Sequence, residues 1–194
     1  DSGITNAYPY HVAVNLGGSA ITVNGVAFEA SVYSGSNFTS SGATSGYYGG
    51  SPNLTGNSFT LGADFIYGGN PCTVTLLNLT PGKTYETTFF SYGFDASDRT
   101  ETFASGSDSR VIDQDAYGAG NGIRIMYRFV AGSSTRVITI TPASGSIGTF
   151  HLCALANREV SAAPTTTTLA LTGGGTPSAV GTPLTFTATV VNIG

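Results

Sequence analysis

Short apolar runs recur along the whole chain, many alternating with polar positions, and clusters of Gly, Ser, Thr and Pro separate them. Alternation over a few residues marks a half-buried strand. Residues 10–16 read as a strand. Residues 20–23 and 26–30 flank Asn24-Gly25, a pair suited to a type I′ hairpin because both central residues need positive φ. Residues 31–57 are rich in Gly, Ser and Thr, with Tyr33, Phe38, Tyr47 and Tyr48 embedded, and read as a long surface loop. Residues 59–67 fit either a strand or a helical turn. Strands are expected over 72–79 and 84–92, joined by Thr80-Pro81-Gly82-Lys83, where Pro presets φ and Gly allows it to turn positive. Further strands are expected over 99–104, 123–131, 136–141 and 149–159. No stretch carries a long apolar stripe of helical period. About ten short strands with regular turn signals predict an all-β fold, a jelly-roll β-sandwich.

Composition shifts at Ser161. Residues 1–160 are expected to form the jelly-roll body, and 161–168, SAAPTTTT, a Pro/Thr linker. Beyond it, 169–172 and 184–191 read as two strands joined by a Gly/Pro turn. An immunoglobulin-like sandwich needs roughly 100 residues. Residues 169–194 therefore read as a partial immunoglobulin-like strand pair or an assembly arm.

Charged residues make up 9% of the 194 residues and the formal net charge is -4. An average domain carries roughly 25% charged residues. No basic excess exists to neutralise phosphates, which argues against nucleic acid as a partner. No apolar run reaches the roughly 20 residues of a membrane span. Ser and Thr supply a polar surface without ions, which suits an extracellular or cell-surface protein. The first residue is Asp1, so the chain reads as a processed or excised piece. Cys72 and Cys153 lie far apart in strand-like runs. In an oxidising compartment they would form a disulfide; the alternative is two small buried hydrophobes.

The run NLTPGKTYETTFFSYGFDASDRTETF, with the later GNGIRIMYRFVA, VITITP and TFHLCALANRE, resembles a galactose-binding-like jelly-roll module of planctomycete and verrucomicrobial extracellular surface proteins. The tail TTTTLALTGGGTPSAVGTPLTFTATV resembles the start of a bacterial immunoglobulin-like repeat. The resemblance implies a galactose-binding-like sandwich, the fold of many carbohydrate-binding modules, and an extracellular setting. It implies no particular binding residue.

The chemistry for catalysis is sparse. No G-x-S-x-G elbow occurs, and His11 and His151 sit in separate strand-like runs. The chain is therefore read as non-enzymatic, with His151 as a packed or edge residue. No cofactor is expected beyond a structural calcium. Its best candidates are Asp113, Asp115 and Asn121, for which solvated loop acids are the plainer reading. Sugar binding combines aromatic faces with planar polar groups that orient hydroxyls. Tyr47, Tyr48, Tyr92, Asp95, Arg124 and Arg128 are the candidates. On 123–131, Ile123, Ile125, Tyr127 and Phe129 share one face, read as core. Arg124, Met126 and Arg128 share the other, which is either solvent-facing or a binding surface.

The expected function is a structural or adhesive subunit of a bacterial surface protein or filament. It would join other copies head-to-tail by β-strand addition, with Leu184, Phe186 and Ala188 of the arm supplying fit. The alternative is a carbohydrate-binding module of a secreted multidomain protein, with a glycan as partner.

Overall fold

A computed structural model describes residues 3–31, 33–43, 45–47, 49–93, 98–143, 149–160, 165–173 and 185–192. The chain divides into Asp1–Val160 and Ser161–Gly194. Among the described residues, no helix is long and apolar enough to cross a membrane.

The strands of the first unit are β1 (Val12–Leu16), β2 (Ile21–Val23), β3 (Val26–Ser31), β4 (Ser34–Gly35), β5 (Phe38–Ser41), β6 (Ser45–Tyr47), β7 (Phe65–Tyr67), β8 (Cys72–Leu76), β9 (Thr84–Tyr92), β10 (Thr100–Ser105), β11 (Asp108–Asp113), β12 (Gly122–Val130), β13 (Arg136–Pro142), β14 (His151–Leu152) and β15 (Ala154–Glu159). One helix, α1 (Gly56–Ala63), precedes β7. The second unit contributes β16 (Thr165–Gly173) and β17 (Thr185–Asn192).

Two six-stranded sheets form the body, a β-sandwich as the alternation predicts. The first has the order β12-β9-β15-β1-β3-β2 and the second β11-β10-β13-β8-β5-β4. A small sheet, β14-β7-β6, lies beside them. The sandwich interior is made by every second side chain. Val12, Val14 and Leu16 of β1, Phe89 of β9 and Leu155 of β15 meet Cys72, Val74 and Leu76 of β8 and Ile138 and Ile140 of β13 in one buried cluster. A second cluster covers the outer face of the first sheet. There Phe28, Val23, Val26, Ala154 and Ala156 pack with Leu61 of α1 and Ile4.

The turn chemistry holds where the sequence is explicit. Asn24 and Gly25 take φ of 48° and 77°, and β2 pairs with β3 antiparallel. Residues 59–67 divide between the two expected forms: the end of α1, then β7. The reading of 31–57 as loop is corrected, because β4, β5 and β6 lie within it and β5 pairs with β8 along Phe38–Ser41. β11 also went unexpected; five of its six residues are exposed, so no alternation marks it. β16 begins at Thr165, so 165–168 of the stretch expected as linker are strand. β16 and β17 form an antiparallel two-stranded ribbon, with Leu171 opposite Phe186 and Leu169 opposite Ala188.

Candidate functional site

β12 and β11 are the edge strands of the two sheets, and a cleft of about 430 Å³ is lined by residues of both. β10 sends Phe103 into it and β12 sends Ile125 and Tyr127, while the buried Phe89 of β9 and Ile138 of β13 close its floor. The phenyl rings of Phe89 and Phe103 lie 5.5 Å apart and tilted by 54°. The rim is polar. Ser105 ends β10, Gly106 takes φ of 62° to close the hairpin, and Asp108, Ser109 and Arg110 follow on β11.

One polar cluster fixes the wall. The Tyr127 hydroxyl donates to Asp108 Oδ2 at 2.8 Å. The Arg136 guanidinium donates to the Ser105 carbonyl at 3.1 Å and to the Tyr127 hydroxyl, and its nitrogen stands 3.6 Å from Asp108 Oδ2. It also lies 5.4 Å and 5.2 Å from the ring centres of Tyr127 and Phe129. Tyr127 in turn stacks on Phe129 at 5.3 Å. Burial, then the bond to Asp108, pushes the Tyr127 phenol above its ordinary range, against the opposing pull of Arg136. The phenol therefore stays protonated and keeps its donor. Aromatic walls with a rim of carboxylate, guanidinium and hydroxyl groups can hold an apolar ring face while orienting its polar substituents.

Among the described residues, Tyr92, Arg124 and Arg128 of the expected sugar-binding set do not share one surface. Tyr48 and Asp95 lie outside the described residues. Tyr47 pairs through its backbone with Phe65, and its side chain lies outside the description. Tyr92 is 1% exposed, packed in a cluster with Phe65 and Cys153, so it offers no face to a ligand. Arg124 and Arg128 lie on the outer face of β12, away from Tyr127 on the inner one. Arg128 is held by Glu86 at 2.8 Å. Arg124 lines a smaller pocket of about 140 Å³ with Ile4, Ser58, Leu61 and Phe90.

The residues of the expected calcium set each make a local hydrogen bond. Asp113 Oδ1 accepts the Asp115 amide at 3.0 Å, Asp115 Oδ2 accepts the Arg99 amide at 3.1 Å, and Asn121 Nδ2 donates to the Tyr117 carbonyl at 2.7 Å. Among the described residues, no three His, Cys, Asp or Glu side chains group so as to hold a metal.

The expected disulfide is not formed. Cys72 and Cys153 are free and buried in different clusters. Cys72 points between the two sheets, while the Cys153 thiol donates to the Gly62 carbonyl at 3.4 Å. Burial pushes the Cys72 thiol up to about 11, and Cys153 is raised further. Both histidines are packed: His11 Nε2 donates to the Leu77 carbonyl at 2.7 Å, and His151 sits 4.6 Å from the Phe65 ring. Of the arm residues, Leu184 lies outside the described residues, and Phe186 and Ala188 are on β17.

Sequence reasoning placed Tyr127 on the inner face of β12 but assigned the whole face to the core. Asp108 and Arg110 went unnoticed because β11 did. The signal that could have found them is the Gly106-Ser107 turn between TETFAS and DSRVID.

No family model matches the sequence, and no curated protein matches it. Solved structures share the fold. A structure of Bacteroides uniformis beta-glucuronidase superposes with a TM-score of 0.63 at 13% identity, over 77% of this chain and 18% of that one. The ANXUR2 extracellular domain from Arabidopsis thaliana superposes with a TM-score of 0.61 at 11% identity, over 79% of this chain and 49% of that one. The chain thus spans from about a fifth to about half of the proteins it matches.

Proposed function

We propose that residues 1–160 are a non-catalytic carbohydrate-binding module of a larger extracellular protein. The sugar ring enters the cleft between the edge strands β12 and β11. One observation carries this reading: the cleft combines partly exposed aromatic walls (Phe103, Tyr127) with planar polar groups at its mouth (Asp108, Arg110). Its carboxylate is already engaged by Tyr127 and Arg136, which suits orientation of a hydroxyl better than proton transfer. Similar sandwiches occur within a beta-glucuronidase and within receptor-like kinase ectodomains, as parts of longer chains.

The test is a panel of soluble polysaccharides titrated by calorimetry. Saturable binding is expected, weakened about tenfold or more by Phe103→Ala and by Arg110→Ala, since each loses about 1–2 kcal/mol of contact. Binding that both variants retain in full overturns the assignment to this cleft.

A second reading, assembly by strand addition, draws support from the ribbon β16–β17. Among the described residues each of its strands has one partner, so each keeps an open edge. Deleting 165–194 would then leave a folded monomer that no longer forms filaments by electron microscopy. Unchanged filaments, or none in the intact chain, exclude it.

A further inference from the structure

At the other end of β10 from the cleft, several buried oxygens have no hydrogen-bond partner among the described residues. They are both carboxylate oxygens of Glu101, Oε1 of Gln114 and Oδ1 of Asp115. The strand register explains why they share a corner. Thr100 stands opposite Asp113 and Glu101 opposite Ile112 on β11. The Gln114 amide donates to the Arg99 carbonyl at 2.9 Å, which extends this ladder by one position. Side chains alternate between faces along an antiparallel pair. Glu101, Ile112 and Gln114 therefore share the inner face, with Glu101 and Gln114 as diagonal neighbours. Both are sealed, at 0% and 1% exposure. The Gln114 amide group is aligned by Nε2 donating to Ser91 Oγ at 3.0 Å, so its unpartnered atom is its oxygen. Asp115 follows directly, with Oδ2 on the Arg99 amide and Oδ1 left over.

A buried ionised carboxylate without a partner is costly, and so is each orphaned acceptor. A proton on Glu101 would supply one donor for these acceptors, and no described donor reaches the rest. A cation would satisfy them together. Two carboxylates also carry the charge that balances a divalent ion. The opposing charge that acts on Glu101 is that of Arg99, whose guanidinium is anchored on the Thr149 carbonyl at 2.9 Å. Carboxylate and amide oxygens are hard ligands, the set that calcium takes and zinc does not.

We propose that Glu101, Gln114 and Asp115 form a calcium site at this corner of the sandwich. Backbone carbonyls and water complete the shell, and the exposed side of Asp113 and the half-buried Asp115 give the ion its approach. The site differs from the sequence-based set: it drops Asn121, leaves Asp113 outside, and gains the interior Glu101 and Gln114. It stands independently of sugar binding in the cleft.

The test uses the full chain stripped with a chelator and titrated with calcium chloride. Calorimetry should show saturable uptake, and the melting midpoint should rise with calcium, as it does for any ligand that binds the folded state alone. Glu101→Gln, which keeps the side-chain shape, should weaken calcium binding at least about tenfold. Asp115→Asn, nearer the surface, should do the same and guards against a folding defect in the first variant. Absence of uptake by the stripped wild type at millimolar calcium overturns the proposal. So does calcium binding as tight in both variants as in the wild type.

Discussion

Glu86 is the test case for what holds the outer face of the first sheet together. The register sets Arg128, Glu86 and Arg158 in one row across β12, β9 and β15. Glu86 accepts from Arg158 at 2.7 and 3.1 Å and from Arg128 at 2.8 Å. The two arginines are unequal. The Arg158 side chain is 19% exposed and stacks over the Tyr8 ring at 4.3 Å, whereas Arg128 is 61% exposed. An exposed pair contributes roughly 0.2–1 kcal/mol. Hydrogen bonds to a partly buried charge contribute about 1.5–3 kcal/mol. Glu86→Gln should therefore cost about 2–3 kcal/mol, most of it through Arg158. In a domain of this size that lowers the melting midpoint by roughly 5–10 °C. Arg158→Met should approach that loss, and Arg128→Met should stay below about 1 kcal/mol.

The pH dependence has a definite sign. Burial raises the Glu86 pKa, but the hydrogen bonds and charges of Arg158 and Arg128 outweigh it and hold it below the ordinary glutamate range. A folded-state pKa depressed in this way gives stability that is present above the unfolded value, about 4.3, and lost as pH falls through the folded one. The gap between wild type and Glu86→Gln should thus stay constant from neutral pH to about 5 and narrow in more acid solution. Urea unfolding of the three variants across that range reads it out. Equal costs for Arg128→Met and Arg158→Met, or a gap that widens in acid, refute the reasoning.

Two further outcomes follow from the interior. Neither Cys72 nor Cys153 should react with a thiol reagent in the native protein, and both should react after denaturation. Reductant should leave the melting midpoint unchanged, whereas loss of a disulfide closing so long a loop would remove roughly 4–5 kcal/mol. Gly69 has φ of 87°, and an added Cβ would strike the Gly42 carbonyl, so Gly69→Ala should cost about 2–3 kcal/mol in thermal melts. Gly82, at φ of 83° in open space, isolates the conformational part, and its Ala variant should cost about 1 kcal/mol. Equal losses at the two positions would show that the close approach is not resisting.

What the sequence made legible is what neighbouring residues decide among themselves. β9 begins and ends where the alternation begins and ends, because Pro81-Gly82 fixes its start. The alternation on β12 separates its two faces, with Ile123 and Phe129 buried and Arg124 and Arg128 outside, but does not show that Ile125 and Tyr127 between them border a cleft. What stayed hidden depends on register between distant strands. Cys72 and Cys153 both sit in apolar runs, and only the pairing of β8 with β13 and the position of Cys153 between β14 and β15 send them into different clusters. Phe103 becomes a wall of a cleft because β10 and β12 belong to different sheets that part at an open side, a relation no local pattern announces. Glu101 lies in a Thr-rich strand that looks half exposed, and nothing local announces that its carboxyl is sealed.

The antiparallel pairing of β1 with β15, Val12 opposite Asn157, sets the first and last strands of the sandwich side by side. The chain thus enters and leaves by the same door, which lets such a body be spliced into a loop of a host protein without stretching it. It also decides how the body answers tension. A pull applied through its two ends opens the β1–β15 ladder like a zipper, one rung at a time, instead of loading all rungs at once. A tether strung with such units would yield early and absorb strain by lengthening.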